Sequence, residues 1–146
     1  MASRDFMNQI NTVPLIPPAV GITNANTPTV SYVIDTAGYE GVTLVLITGN
    51  ETATAATFAT TIEHGNQANL SDTSAPVATD LVGTTALDSF TFTSDNVTRK
   101  IGYIGSKRYL RLTVTPSANT DGTYYLAGVA LLGLGRNNPQ NNPPQA

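Results

Sequence analysis

Between residues 29 and 134 the apolar residues recur at every second position, in short runs separated by turn-forming clusters, and that period of two restricts the chain to paired strands. In residues 30–35, Val30, Tyr32 and Ile34 fall on one face. In residues 42–47, Val42, Leu44 and Leu46 alternate with Thr43, Val45 and Ile47. This strand is apolar on both sides, which predicts a central strand or one whose second side is covered. In residues 109–115 the pattern sends Leu110, Leu112 and Val114 to the core and Tyr109, Arg111 and Thr113 outward. Residues 77–82, 89–93 (Phe90 and Phe92 on one face), 100–104 and 123–134 read as further strands. Residues 52–63 carry enough Ala for a helix, but their Thr density favours a strand anchored by Phe58 and Ile62. Turn signals sit at Gly38-Tyr39-Glu40-Gly41, in residues 64–75, at Gly105-Ser106-Lys107 and in residues 116–122. The prediction is an all-β chain of about eight antiparallel strands, closed as a β-sandwich or jelly roll.

The ends read differently. In Val13-Pro14-Leu15-Ile16-Pro17-Pro18 each proline lacks an N–H donor and drives its predecessor to extended geometry. Residues 1–28 are therefore an extended N-terminal arm, apolar enough to lie along its own domain or a neighbour. Residues 29–135 form the sandwich domain. Residues 136–146, rich in Asn, Pro and Gln, form a polar C-terminal tail with too little apolar area to fold alone.

Charged residues make up 12% of the chain, about half the usual share, and Thr, Ala, Gly and Asn replace them. The hydrophobic fraction of 40% excludes the composition of a disordered chain. A net charge of −3 without a basic stripe argues against nucleic acid as a partner. The charge feature above background is the group Arg99, Lys100, Lys107, Arg108 and Arg111. It either docks an acidic partner surface or forms a solvated face whose stems cover apolar area. With no cysteine, disulfides and thiolate metal sites are excluded. No run approaches the ~18 apolar residues of a membrane span, and no apolar stretch follows a basic start at the N-terminus. A membrane partner is not expected, and the chain is expected to stay soluble in the cytoplasm where it is made, or to leave by cell lysis.

Catalytic chemistry finds little material. The single histidine, His64, stands beside Glu63 at a strand end, where a solvated or turn-bonded imidazole is expected. One histidine does not build a metal set by itself. There is no Gly-x-Ser-x-Gly elbow, no phosphate-cradling glycine loop, and no Trp platform for sugars. The reading is a non-enzymatic protein with no cofactor and no metal.

Ile101-Gly102-Tyr103-Ile104-Gly105-Ser106-Lys107-Arg108-Tyr109-Leu110-Arg111-Leu112 resembles a segment of small tailed-bacteriophage head proteins commonly encoded beside the major capsid protein. Arg4-Asp5-Phe6, Gly38-Tyr39-Glu40-Gly41, Ile62-Glu63-His64-Gly65 and Ala130-Leu131-Leu132-Gly133-Leu134-Gly135-Arg136 are similar too, so the resemblance spans most of the chain. Residues 64–75 depart from the shorter, more acidic version of that family. The resemblance implies a capsid decoration (cement) protein with a jelly-roll-like fold. Such a protein binds the major capsid protein on the virion exterior as a homodimer or homotrimer, after synthesis in the bacterial host cytoplasm. The candidate capsid- or subunit-binding residues are Arg4, Phe6, Leu15, Ile16, Arg108, Tyr109, Arg111 and Arg136. Gly102 and Gly105 also have a structural reading, as room for a buried, hydrogen-bonded Tyr103. The alternatives are a carbohydrate-binding surface module, with tyrosines for stacking, and a head–tail joining or tail protein that assembles as a ring.

Overall fold

The alternation that marks residues 42–47 and 109–115 is realised in two long strands, one in each of two facing sheets. The structure, a computed structural model, describes residues 6–18, 21–23 and 25–136, with the side chain of residue 87 excepted. In chain order the strands are β1 (Ile10–Ile16), β2 (Ile22–Thr23), β3 (Thr29–Val30), β4 (Ile34–Asp35), β5 (Gly41–Thr48), β6 (Thr57–Gly65), β7 (Leu81–Val82), β8 (Phe90–Thr91), β9 (Thr98–Tyr103), β10 (Tyr109–Ser117), β11 (Thr123–Tyr124) and β12 (Leu126–Gly133). A single helical turn, α1 (Thr85–Asp88), precedes β8.

The first sheet runs β1-β12-β5-β9-β7 and the second β3-β10-β6-β8, with β4 also paired to β10. All these pairings are antiparallel. Apart from the small β2–β11 pair, and with β3 and β4 counted as one broken strand, the chain changes sheet at each successive strand, and the first and last strands of the sandwich lie side by side. This is the double Greek key of a jelly roll, with β7 added at one edge. The expected all-β sandwich is the fold observed.

One core joins the sheets. Leu44, Leu46, Ile101, Ala130 and Leu132 from the first meet Phe58, Leu110, Leu112 and Val114 from the second, all buried. Phe58 stacks on Phe90 at 4.5 Å and tilts against Tyr124 at 4.7 Å. Offset aromatic contacts of this kind add to the area term.

Several boundaries differ from the sequence reading. Within the arm assigned to residues 1–28, Ile10–Ile16 form β1, which pairs with β12 from Ile10↔Gly133 onward as an edge strand of the sandwich, so this stretch lies along its own domain. An edge position tolerates Pro14, which has no N–H to donate, and the register shifts beside it. Residues 30–35 break into β3 and β4, so Ile34 is buried while Val30 and Tyr32 are exposed. In residues 77–82 a 3₁₀ turn (Ala78–Asp80) leaves only the two-residue β7. Residues 89–93 hold the two-residue β8, and 123–134 divide into β11 and β12. His64 lies inside β6, not in a loop. The expected tail covers residues 136–146, of which 137–146 lie outside the described residues.

Candidate functional site

The two outer faces of the sandwich differ in character, although the second also carries the exposed Val30 beside Thr113. On the second sheet, β6 and β10 turn Thr57, Thr61, Thr113 and Thr115 outward, together with Glu63 and Arg111. The Arg111 guanidinium donates to Glu63 Oε2 from Nε at 3.1 Å and Nη2 at 2.6 Å. Arg108 donates to both Asp35 oxygens, at 2.9 and 2.8 Å, and its guanidinium lies 4.9 Å from the Tyr109 ring centre. Its hydrogen bonds hold the Asp35 carboxyl below the usual range. These cations are committed to carboxylates of their own chain.

The five cations of the sequence group do not make one patch. Alternation within β9 sends Arg99 inward, where it donates to Ser94 Oγ at 3.3 Å, and Lys100 outward. The two arginines of β10 and the loop before it belong to the other sheet's face. The group therefore forms no single basic surface on the folded chain.

The outer face of the first sheet is mostly apolar, interrupted by Thr12, Thr43 and Lys100. Registered across it are Thr12–Leu131–Thr43–Gly102–Val82 in one row and Pro14–Val129–Val45–Lys100 in the next. Ile47 is 45% exposed and Val82 59%. Among the described residues in these strands, the charged side chain on this face is Lys100. At one end of the face lies a trough of about 670 Å³ that crosses all five strands. Phe6, Ile10 and Leu134 wall one side, Val82 and Ile104 the other, and Gly41, Gly102 and Gly133 lie in its floor. Phe6, Ile104 and Leu134 are 66%, 55% and 72% exposed, an unusual state for large apolar groups clustered together.

The candidate contact residues scatter. Phe6 reaches the trough. Leu15 and Ile16 are 0% and 4% exposed and pack in the core, so their assignment as partner contacts is corrected. The inward turn that follows the β1 irregularity puts both there. Arg136 is exposed, and its backbone N–H donates to Gly38 O at 2.9 Å. Arg4 lies outside the described residues.

The motif around Tyr103 maintains the fold. The ring is buried, and its hydroxyl donates to Lys107 O at 3.2 Å, accepts from Lys107 N–H at 3.1 Å, and meets His64 Nδ1 at 2.9 Å. A Cβ on Gly105 would stand 2.6 Å from that hydroxyl, so glycine is required there. His64 is accordingly buried and hydrogen-bonded rather than solvated.

Two buried acids stand apart from both faces. Both carboxylate oxygens of Glu51 are buried, and burial, with Asp95 nearby, pushes its carboxyl up to about 7 against the pull of the Tyr125 backbone N–H. Asp88 is fully buried, and desolvation raises it to about 6 against the pull of Arg99. Among the described residues no group of three or more His, Cys, Asp or Glu is placed to hold a metal ion.

Sequence reasoning missed the trough because its walls come from the N-terminal segment, β7 and the two turns after β9 and β12. The double-sided apolar pattern of residues 42–47 was the available signal. No helix among the described residues is long and apolar enough to cross a membrane. No protein-family model matches the chain, and no curated protein matches it. Among solved structures the chain is similar to the SPBc2 prophage-derived protein YomS, with 10% identity and a TM-score of 0.43 over 84% of this chain and 92% of that one. It is also similar to the CBM22-1–GH10 modules of the Clostridium thermocellum N-terminal endo-1,4-β-D-xylanase 10B, with 7% identity and a TM-score of 0.43 over 90% of this chain but 27% of that one.

Proposed function

We propose that this chain is a non-enzymatic structural protein of a bacteriophage virion that attaches to the outer surface of the capsid shell through the outer face of its first sheet. The observation that carries this reading is the apolar, trough-bearing face, set against a second face whose arginines are paired within the chain. An apolar sheet face of this extent is costly to leave in water and gains by being covered. A shell repeats one surface many times, so even a modest contact per subunit becomes strong occupancy if the decorating protein is itself a homo-oligomer. The resemblance of residues 101–112 to tailed-phage head proteins supports the same partner, the major capsid protein. The carbohydrate-binding alternative has less support, since Phe6 is the aromatic residue of the trough and the exposed tyrosines, Tyr32 and Tyr125, do not line it.

The test is co-sedimentation of the purified chain with empty capsids, beside its light-scattering mass. Saturable binding at a fixed ratio to the capsid protein is expected. A chain left in the supernatant at every concentration overturns the reading.

A further inference from the structure

Glycine within a strand weakens it, having no side chain to pack and more backbone entropy to lose, so each such glycine asks for a reason. Gly102 has one within the chain: a Cβ there would stand 2.9 Å from Val82 Cβ. Gly133 has none. Among the described residues, a Cβ on it would meet nothing within 4 Å, and its backbone is not left-handed. Gly41, its cross-strand partner, would meet among them the Leu134 side chain at an ordinary 3.8 Å. The fold has room for side chains at both positions and carries hydrogen instead, side by side, in the floor of the trough.

The adjoining residue is strained in the same direction. Leu134 has φ +54°, a conformation bulky residues avoid, and its side chain stands 72% exposed on the trough wall. Such an outlier points toward a role that the folded chain alone does not use.

From these observations we propose that the trough is the seat of an extended, apolar polypeptide segment of the capsid protein, whose backbone lies directly on Gly41 and Gly133. This inference rests on the shell-binding reading and specifies its contact. An extended backbone exploits a floor without side chains, whereas a helix keeps its backbone sheathed within a cylinder roughly 10 Å across. Five strands at the ordinary spacing give the trough a length of about 19 Å, enough for some five or six extended residues. The walls favour β-branched or aliphatic side chains, and Lys100 at the edge favours one carboxylate in the segment.

The test uses the full chain and two variants, Gly133→Val and Leu134→Asn. Valine fills the floor in a residue type suited to strands, and asparagine tolerates the left-handed backbone while removing the apolar wall. Both are expected to melt no lower than the parent. Binding to empty capsids is expected to fall roughly 30-fold or more for Gly133→Val. Each protein is also panned, without capsids, against a displayed library of random decapeptides. The parent is expected to enrich uncharged β-forming sequences with a single Asp or Glu, and Gly133→Val to lose them. Capsid binding by Gly133→Val equal to the parent's overturns the trough while leaving the shell reading intact. Peptide capture that depends on Gly133, without any capsid binding by the parent, supports the trough and overturns the shell reading. Absence of both, or a Gly133-dependent signal that proves to be self-association or glycan-array binding, overturns the proposal.

Discussion

The two long strands β5 and β10 use the same alternation to opposite ends. Each buries every second side chain in one shared core: Leu44 and Leu46 from the first, Leu110, Leu112 and Val114 from the second. Outward, β10 presents Arg111, which pairs with Glu63 on the neighbouring strand, and Thr113 and Thr115, all of which solvate well. β5 presents Thr43 and then Val45 and Ile47, two apolar side chains that do not. Inward pattern reports the fold, and outward pattern reports what the face must meet. A sheet that faces water on one side reads as apolar-in, polar-out, and only the second sheet obeys that rule.

The sharpest way to break the contrast is to place one charge at the centre of each outer face. Leu131 stands in the row beside Thr43, and Thr113 stands in the middle of the opposite sheet. Leu131→Glu is expected to leave the melting temperature within a few degrees of the parent. It should cost about 3 kcal/mol of binding, roughly 100-fold, because a carboxylate would be desolvated without a partner. Thr113→Glu should leave capsid occupancy unchanged. Equal losses from the two variants would abolish the distinction between the faces.

A second measurement separates the interior from both faces. Glu51 is raised from the ordinary 4.5 to about 7, and Asp88 from 3.8 to about 6. In both, the folded state holds the proton more tightly than the unfolded chain. Their contribution is therefore full below about pH 4, declines as pH rises, and is gone above about pH 7. Folding stability is expected to drop by on the order of 5 kcal/mol from pH 4.5 to pH 8 in denaturant titrations. Glu51→Gln should flatten the profile. Capsid occupancy, carried by apolar groups, should stay level between pH 6 and pH 8 while the fold remains intact. Occupancy that tracked the stability curve would show that the interior, not the outer face, governs attachment.

How much of this was legible in the sequence depends on whether the cause was local. The strand class and the inward residues of β10 follow from alternation, a property of neighbours in the chain. The buried Tyr103 beside Gly102 and Gly105 was also readable, because tight backbone approach calls for glycine. The fate of β1 was not. Leu15 and Ile16 are buried because the last strand, more than a hundred residues away, lies beside β1, and no local pattern states that pairing. The basic group failed for a related reason: nearness in sequence hid the fact that β9 and β10 lie in different sheets. The trough combines both difficulties. Its floor is made of glycines in three strands whose adjacency exists only after folding, so the double-sided apolar strand hinted at a covered face without locating it.

The smallest expected effect tests the quieter face. The Arg111–Glu63 pair is about one-third exposed, with side-chain accessibilities of 30% and 34%, so water screens much of its attraction. Arg111→Ala is expected to lower stability by about 0.5–1 kcal/mol, partly through lost packing of the guanidinium stem on the threonine rows. The same variant tests the reading of the basic group as a docking surface. If Arg111 serves only its own sheet, its removal leaves capsid occupancy within twofold of the parent, and added salt changes that occupancy little. A tenfold loss, restored by Arg111→Lys, would mean that the charge itself reaches a partner despite Glu63. The contrast between the faces would then be one of two docking surfaces with different chemistry, in place of one docking surface and one solvated face.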